Sequence, residues 1–176
     1  EPVRAMLQAF WLAITTFVTG GFSPMSLSVS YYHSSTLEFV LMVLMILGSI
    51  SFVIHAEVWK GRIGMFFRDL ETRTMVLWVA LMVVVVTAAC AGSTLFSDLP
   101  ALLRRGLFMV ISAFTTTGLQ VITTNQLTTV LTSGAFLTLA LVMAIGGGAG
   151  STAGGIKLYR IGIICKSIVQ TIKEAL

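Results

Sequence analysis

The chain has 176 residues, 56% of them hydrophobic and only 10% charged, with a formal net charge of +4 and a mean hydropathy of +0.97. Soluble globular domains carry about 25% charged residues, so the composition excludes that class and indicates an integral membrane protein. The basic residues flank apolar runs instead of gathering on a polar module with interleaved aromatics, which excludes a nucleic-acid partner and leaves the lipid bilayer.

In chain order, Glu1-Pro-Val-Arg4 leads directly into an apolar run without a cleavage pattern, so no signal peptide is read there. Residues 6–17 form an apolar stretch too short to cross a hydrocarbon core, which takes about 20 residues; a short helix over 4–17 is expected. Residues 18–22 then break into Thr and Gly, and 23–35 read as a polar outer connector. A full span is predicted over 36–58. The charged connector with Lys60, Arg62, Arg68 and Arg73 follows it.

A second span is predicted over 75–92, with an outer loop over 93–101. A short helix over 102–114, a Thr/Gly turn over 115–119, a connector over 120–126 and an inner helix over 127–145 complete the pattern. Both basic clusters, the connector and Lys157, Arg160, Lys166 and Lys173, fall on one side, which the positive-inside rule makes cytoplasmic. Arg104 and Arg105 depart from the rule and are read as snorkelling to headgroups. Cys90 and Cys165 have no metal or redox spacing and read as buried or lipid-facing thiols.

The chain repeats itself. Ile14-Thr-Thr-Phe-Val-Thr-Gly-Gly-Phe22 aligns with Ile111-Ser-Ala-Phe-Thr-Thr-Thr-Gly-Leu119, pairing Gly21 with Gly118. A half-length helix that ends in Thr/Gly backbone within a membrane turns carbonyl oxygens toward an axis, where they replace the water shell of a cation. The expected fold is therefore all-α and membrane-integral, with helix, re-entrant pore loop, helix repeats of the potassium-channel type. Residues 1–60 form a partial repeat (pore helix, filter strand, inner helix), 61–73 the cytoplasmic connector, and 74–176 a complete repeat. Two carbonyl strands do not close a selectivity ring, so either two chains pair or the chain is a fragment of a longer pore-forming subunit; the start at Glu1 and the missing outer helix favour the second expectation.

Residues 146–155 read Gly-Gly-Gly-Ala-Gly-Ser-Thr-Ala-Gly-Gly, followed by Ile156 and Lys157. Each Gly disfavours a helix interior by about 1 kcal/mol relative to Ala, and six in ten positions break the inner helix. Irregular backbone at membrane depth survives where it packs in protein or lines a watery cavity, so this loop is expected to face the pore and gate it. The glycine order matches neither a dinucleotide fingerprint nor a Walker motif, which sets a phosphate cradle aside. An intramembrane enzyme is set aside as well. His55 and Glu57 are two residues apart on different sides of a helix, and Glu38, Asp98 and His33 are assigned to outer, solvated surface, with a cation-attracting vestibule as the other reading of Glu38 and Asp98. The Thr/Gly turns also admit a plain helix-capping role, and broken helices also build the midplane sites of secondary transporters.

Val18-Thr-Gly-Gly-Phe-Ser23, Thr115-Thr-Thr-Gly-Leu119 and Gly147-Gly-Ala-Gly-Ser-Thr-Ala-Gly-Gly-Ile-Lys157 together resemble the TrkH/TrkG potassium-uptake subunits of bacteria, within the Trk/Ktr/HKT superfamily. The stretch from His55 to Gly61 and Arg68-Asp-Leu-Glu-Thr-Arg73 are similar to the cytoplasmic turn between that family's second and third repeats. The likeness covers essentially the whole chain: a second repeat without its first helix, then the third.

The resemblance implies potassium uptake across the bacterial inner membrane by a multi-pass protein. It implies a homodimer, the remaining repeats of the same pore, and a cytosolic nucleotide-binding TrkA-like regulatory subunit; a Ktr-like sodium-dependent transporter, or another ion-coupled one, is the alternative. Potassium is the cargo, and no organic cofactor or enzymatic activity is expected. Val18, Thr19, Gly20 and Gly21 would form one filter strand and Thr115, Thr116, Thr117 and Gly118 another, binding potassium through backbone carbonyls. Gly146, Gly147, Gly148, Gly150, Ser151, Thr152, Gly154, Gly155 and Lys157 would form the gating loop. Leu119 stands where the family usually has Phe, and Val18 where a small hydroxyl residue is common.

Overall fold

The computed structural model describes residues 2–90, 99–122 and 133–175. Eight α-helices are described: α1 Pro2–Phe17, α2 Ser35–Ser49, α3 Phe52–Trp59, α4 Gly64–Arg68, α5 Leu70–Cys90, α6 Leu99–Phe114, α7 Ser133–Ala144 and α8 Leu158–Ala175. One 3-10 turn, Ser28–Tyr32, precedes α2. No strand occurs among the described residues, as the all-α expectation requires.

The helix ends follow local chemistry. Ser34 caps α2 by accepting the Leu37 N–H at 3.3 Å, and Asp69 caps α5 by accepting from the Thr72 N–H at 2.7 Å and its hydroxyl at 2.8 Å. Both satisfy donors that the first helical turn leaves open. The cap on Asp69 means that α5 starts at Leu70, so residues 70–73, expected in the connector, form its first turn; 64–68 are helical as α4. Similarly α1 and α6 start at Pro2 and Leu99, ahead of the expected 4 and 102, since Pro suits a first helical turn where its missing N–H costs nothing.

The expected continuous span over 36–58 is corrected. α2 and α3 meet at a bend of 98°, with Ile50 in extended backbone. The tertiary contacts explain it: the Thr152 N–H reaches Gly48 O at 3.2 Å and the Gly148 N–H reaches Ser49 O at 2.9 Å, while the Phe52 N–H turns to Gly150 O at 3.1 Å. Bonds that would have continued the helix go to another segment. Among the described residues only Leu70–Ala89 is by itself long and apolar enough to cross a membrane, and the bent pair α2 and α3 joins it if taken as one span. Part of the third expected span, 127–132, and the outer-loop residues 93–98 with Asp98 lie outside the described residues.

α5 packs against α6 and α7, α6 against α7 and α2, and α1 along α2. The centre is occupied by Phe108, Phe114, Leu12, Leu41 and Met45, all fully enclosed. α6 approaches α5 closely at Gly106, where an added Cβ would lie 2.9 Å from Thr87 Cγ2. Outward faces of α1 and α5 remain apolar and exposed, with Phe10, Trp11, Leu77 and Val84 among them. Such faces suit lipid or further protein, not water.

Candidate functional site: two Thr/Gly turns on a glycine loop

The internal repeat is reproduced in the main-chain bonds that follow each helix. α1 and α6 begin and end at aligned positions, Pro2 with Leu99 and Phe17 with Phe114. After α1, the N–H groups of Val18, Thr19 and Gly20 bind the carbonyls of Ile14, Thr16 and Thr15 at 3.0, 3.1 and 2.7 Å. After α6, the aligned Thr115, Thr116 and Thr117 bind Ile111, Ala113 and Ser112 at 2.9, 3.0 and 3.0 Å. Thr19 and Thr116 each donate their hydroxyl to the preceding carbonyl, at 2.8 and 2.7 Å.

A further pair of bonds closes each turn onto its helix. The Phe22 N–H donates to Thr15 Oγ1 at 2.9 Å, and Ser112 Oγ donates to Leu119 O at 2.7 Å, between aligned residues with the direction of donation reversed. The backbone is not simply extended, as the filter-strand expectation had it. Thr19 and Gly21 have φ of 53° and 72°, and the aligned Thr116 and Gly118 have 56° and 79°. Such left-handed values disfavour side chains, yet both copies hold a Thr there, over-determined by the hydroxyl and amide bonds just described.

The two turns lie against each other. A Cβ on Gly21 would sit 1.7 Å from Thr117 O and 3.8 Å from Gly118 N, so only a glycine admits this approach. Beyond the turns, the first outer connector continues the contact: the Val29 N–H donates to Gln120 O and the Gln120 N–H to Ser28 Oγ, both at 3.1 Å.

Residues 146–155 form the floor beneath both turns. The loop folds back on itself: a Cβ on Gly146 would lie 2.2 Å from Gly154 O, and the Ile156 N–H closes the base on Ala144 O at 2.8 Å. Its contacts reach aligned atoms of the two copies. Thr152 Oγ1 lies 3.2 Å from Phe17 O and 2.9 Å from Gly48 O, between which its one proton is shared, and the Gly147 N–H donates toward Phe114 O at 3.3 Å. Thr19 Oγ1 lies 3.3 Å from Thr152 Oγ1, and Thr116 Oγ1 accepts the Gly154 N–H at 2.6 Å. Lys157 turns back to donate to Ala153 O. Thus the expected turn residues and loop residues come together in one polar layer, in which Thr19, Thr115, Thr117 and residues 146–148 are buried while Val18, Gly20, Gly118, Gly150, Gly154 and Gly155 are exposed.

Several contributors were not legible as such. The Gly48-Ser-Ile-Ser51 stretch, inside a run taken for one span, supplies the carbonyls on which the loop sits; its small residues were the available signal. Glu71 accepts the Ala149 N–H at 2.7 Å, and nothing in the sequence around it marked that contact. The solvated reading of Glu38 is corrected: it is buried, and Arg104 Nη1 pairs with its Oε2 at 3.4 Å while also bonding Ser35 Oγ. That partner on α2 is where the Arg104 side chain goes. His55 Nε2 lies 2.9 Å from Leu47 O, and Glu57 pairs with Lys60 at 3.2 Å and Arg62 at 3.0 Å; these are helix-end contacts. Among the described residues no group of three or more His, Cys, Asp or Glu side chains could hold a metal ion, and Cys165 is a free, exposed thiol.

Comparison with known proteins matches residues 1–175 to the family TrkH, described as cation transport protein. The Trk system potassium uptake protein TrkH of Halomonas elongata is 32% identical over 156 residues, covering 88% of this chain and 31% of that protein. An uncharacterized cation transporter of Methanocaldococcus jannaschii is 29% identical over 170 residues, covering 94% of this chain and 32% of its own length. The crystal structure of the potassium transporter TrkH from Vibrio parahaemolyticus superposes with a TM-score of 0.83 at 23% identity, over 95% of this chain and 38% of that one. The chain thus spans about a third of the length of the curated relatives it matches.

Proposed function

Because the chain belongs to the TrkH family of cation transport proteins, which is a family of membrane transporters and not of enzymes, we propose that it forms part of a potassium-uptake pore in the bacterial inner membrane. Its two turns, Val18 to Gly21 and Thr115 to Gly118, are two of four filter segments, and the ion passes along their backbone carbonyls. The observation that carries this reading is the aligned pair of turns, with left-handed φ at Thr19 and Gly21 and again at Thr116 and Gly118. In an ordinary strand successive carbonyls point to opposite sides; interspersed left-handed residues undo that alternation and allow neighbouring carbonyls to share a side. Oxygen rings of that kind replace the hydration shell of a cation.

The loop at 146–155 is then the gate. It sits across the inner ends of both turns, held by hydrogen bonds to groups from two repeats, and its own glycine backbone offers many conformations once those bonds open. The remaining repeats cover the exposed faces of α1 and α5. A second copy of the protein and a cytosolic nucleotide-binding TrkA-like subunit complete the assembly.

The test is potassium-dependent growth of an uptake-deficient bacterium expressing the complete polypeptide that carries this chain. Growth at low potassium is expected, with flux that follows the potassium gradient; growth that requires sodium would favour a Ktr-like coupled transporter instead. The chain expressed alone is expected not to rescue growth. Shortening residues 146–155 in the complete polypeptide is expected to raise flux, and unchanged or lower flux would assign the loop a structural role only.

A further inference from the structure

From the contacts of α5 with the glycine loop, we infer that Glu71 is a positioning residue that latches the loop beneath the two turns, and that Arg68 receives its carboxylate when the latch opens. The inference rests on the gating role proposed for residues 146–155. Among the described hydrogen bonds that reach the loop from outside it, the bond from the Ala149 N–H to Glu71 Oε1, 2.7 Å long, is the one with an acidic acceptor. The others end on the carbonyls of Phe17, Gly48, Ser49 and Phe114, on hydroxyls, or on the loop's own carbonyls, where the Phe52 N–H meets Gly150 O and the Lys157 ammonium meets Ala153 O. A charge-assisted bond is roughly twice as strong as a neutral one, so this contact is a strong attachment of the loop to α5.

Glu71 is also held in place by its helix. It lies in the first turn of α5, where the helix dipole favours a carboxylate, and the Asp69 cap fixes the start of that turn. A Cβ on Gly148 would be 3.6 Å from the Glu71 carboxyl carbon, an ordinary van der Waals contact, so the carboxyl group lies directly against the loop.

There is room for the latch to open. Glu71 lines a cavity of about 360 Å³ between α3, α4 and α5, together with Ser51, Glu57, Asp69 and Arg68. Arg68, the last residue of α4, is the cationic residue of that lining. Rotating the carboxylate into the cavity exchanges the Ala149 amide for this cation and frees the centre of the loop. The latch and its release are thus two arrangements of one side chain, and each biases the loop in the opposite sense.

Single-channel recording of the complete polypeptide in planar bilayers tests this. Glu71→Ala is expected to raise open probability roughly tenfold, the ratio given by ~1.4 kcal/mol, with unitary conductance and potassium-to-sodium permeability unchanged. Glu71→Gln keeps the size and one oxygen acceptor, so it folds and raises open probability about threefold, in line with a weaker neutral bond. Arg68→Gln is expected to lower open probability. Open probability unchanged or lowered in both Glu71 variants, or a changed unitary conductance, would overturn the latch, as would Arg68→Gln acting in the same direction as Glu71→Ala. Absence of potassium current in the unmodified protein would instead refute the pore itself, so the two failures are distinguishable.

Discussion

Around the first turn Ile14, Phe17, Val18 and Phe22 are exposed, whereas Ile111, Phe114, Thr115 and Leu119, at the aligned places of the second, are buried. The hydrogen-bond plan is nevertheless the same in both. Burial by the other helices of this chain therefore does not create the turn. What the copies share is a Thr or Ser in the last helical turn that bonds the far end, a hydroxyl on the left-handed residue, and a contact from that residue to the glycine loop. What they do not share is neighbours: α6 is flanked by α5, α7 and α2, while α1 packs along α2.

The largest expected effect separates the two aligned glycines. Gly21→Ala places a methyl 1.7 Å from the backbone oxygen of Thr117, which no side-chain movement relieves, and should abolish recovery of folded protein. Gly118→Ala meets nothing within 4 Å and carries only the left-handed strain of roughly 1 to 2 kcal/mol. Detergent-extracted yield and melting temperature measure both; equal losses would show that the first turn is not seated on the second as described.

Next comes the tie between the copies on α2 and α6. Arg104→Met leaves the Glu38 carboxylate buried without its partner and should cost about 1 to 3 kcal/mol. The double variant with Glu38→Gln should recover most of that loss. A melting temperature unchanged by Arg104→Met would return Glu38 to the solvated role first read for it.

Smaller still is the turn-to-loop bond. Thr116→Val removes the acceptor of the Gly154 N–H and should cost about 1 kcal/mol. Thr19→Val removes a longer contact to Thr152 and should cost less; the reverse order would make the first copy the principal support of the loop. Lys60→Gln, which removes an exposed partner of Glu57, should change stability by less than about 0.5 kcal/mol.

Much of this site was legible because its signals are local. Thr and Gly after a half-length apolar run predict a turn, the duplication marks it as meaningful, and six glycines in ten residues break a helix whatever surrounds them. The bend at Ile50 escaped the same reasoning, since the run over 36–58 is predominantly apolar and its hydrophobicity says nothing about carbonyls claimed by a segment far along the chain. Glu38 escaped it for a related reason. A charge at the end of an apolar run reads as solvated until α6 brings Arg104 beside it.

By itself, then, the sequence determined the membrane class, the repeated helix-and-turn unit and the place of the glycine break, because each depends on the energetics of neighbouring residues. Only the tertiary structure decided that α2 bends, that one loop supports both turns through aligned atoms, and that Glu71 holds the loop's centre. Those features are hydrogen bonds between segments distant in the chain, and a backbone amide or carbonyl carries no sequence label for the partner it will meet.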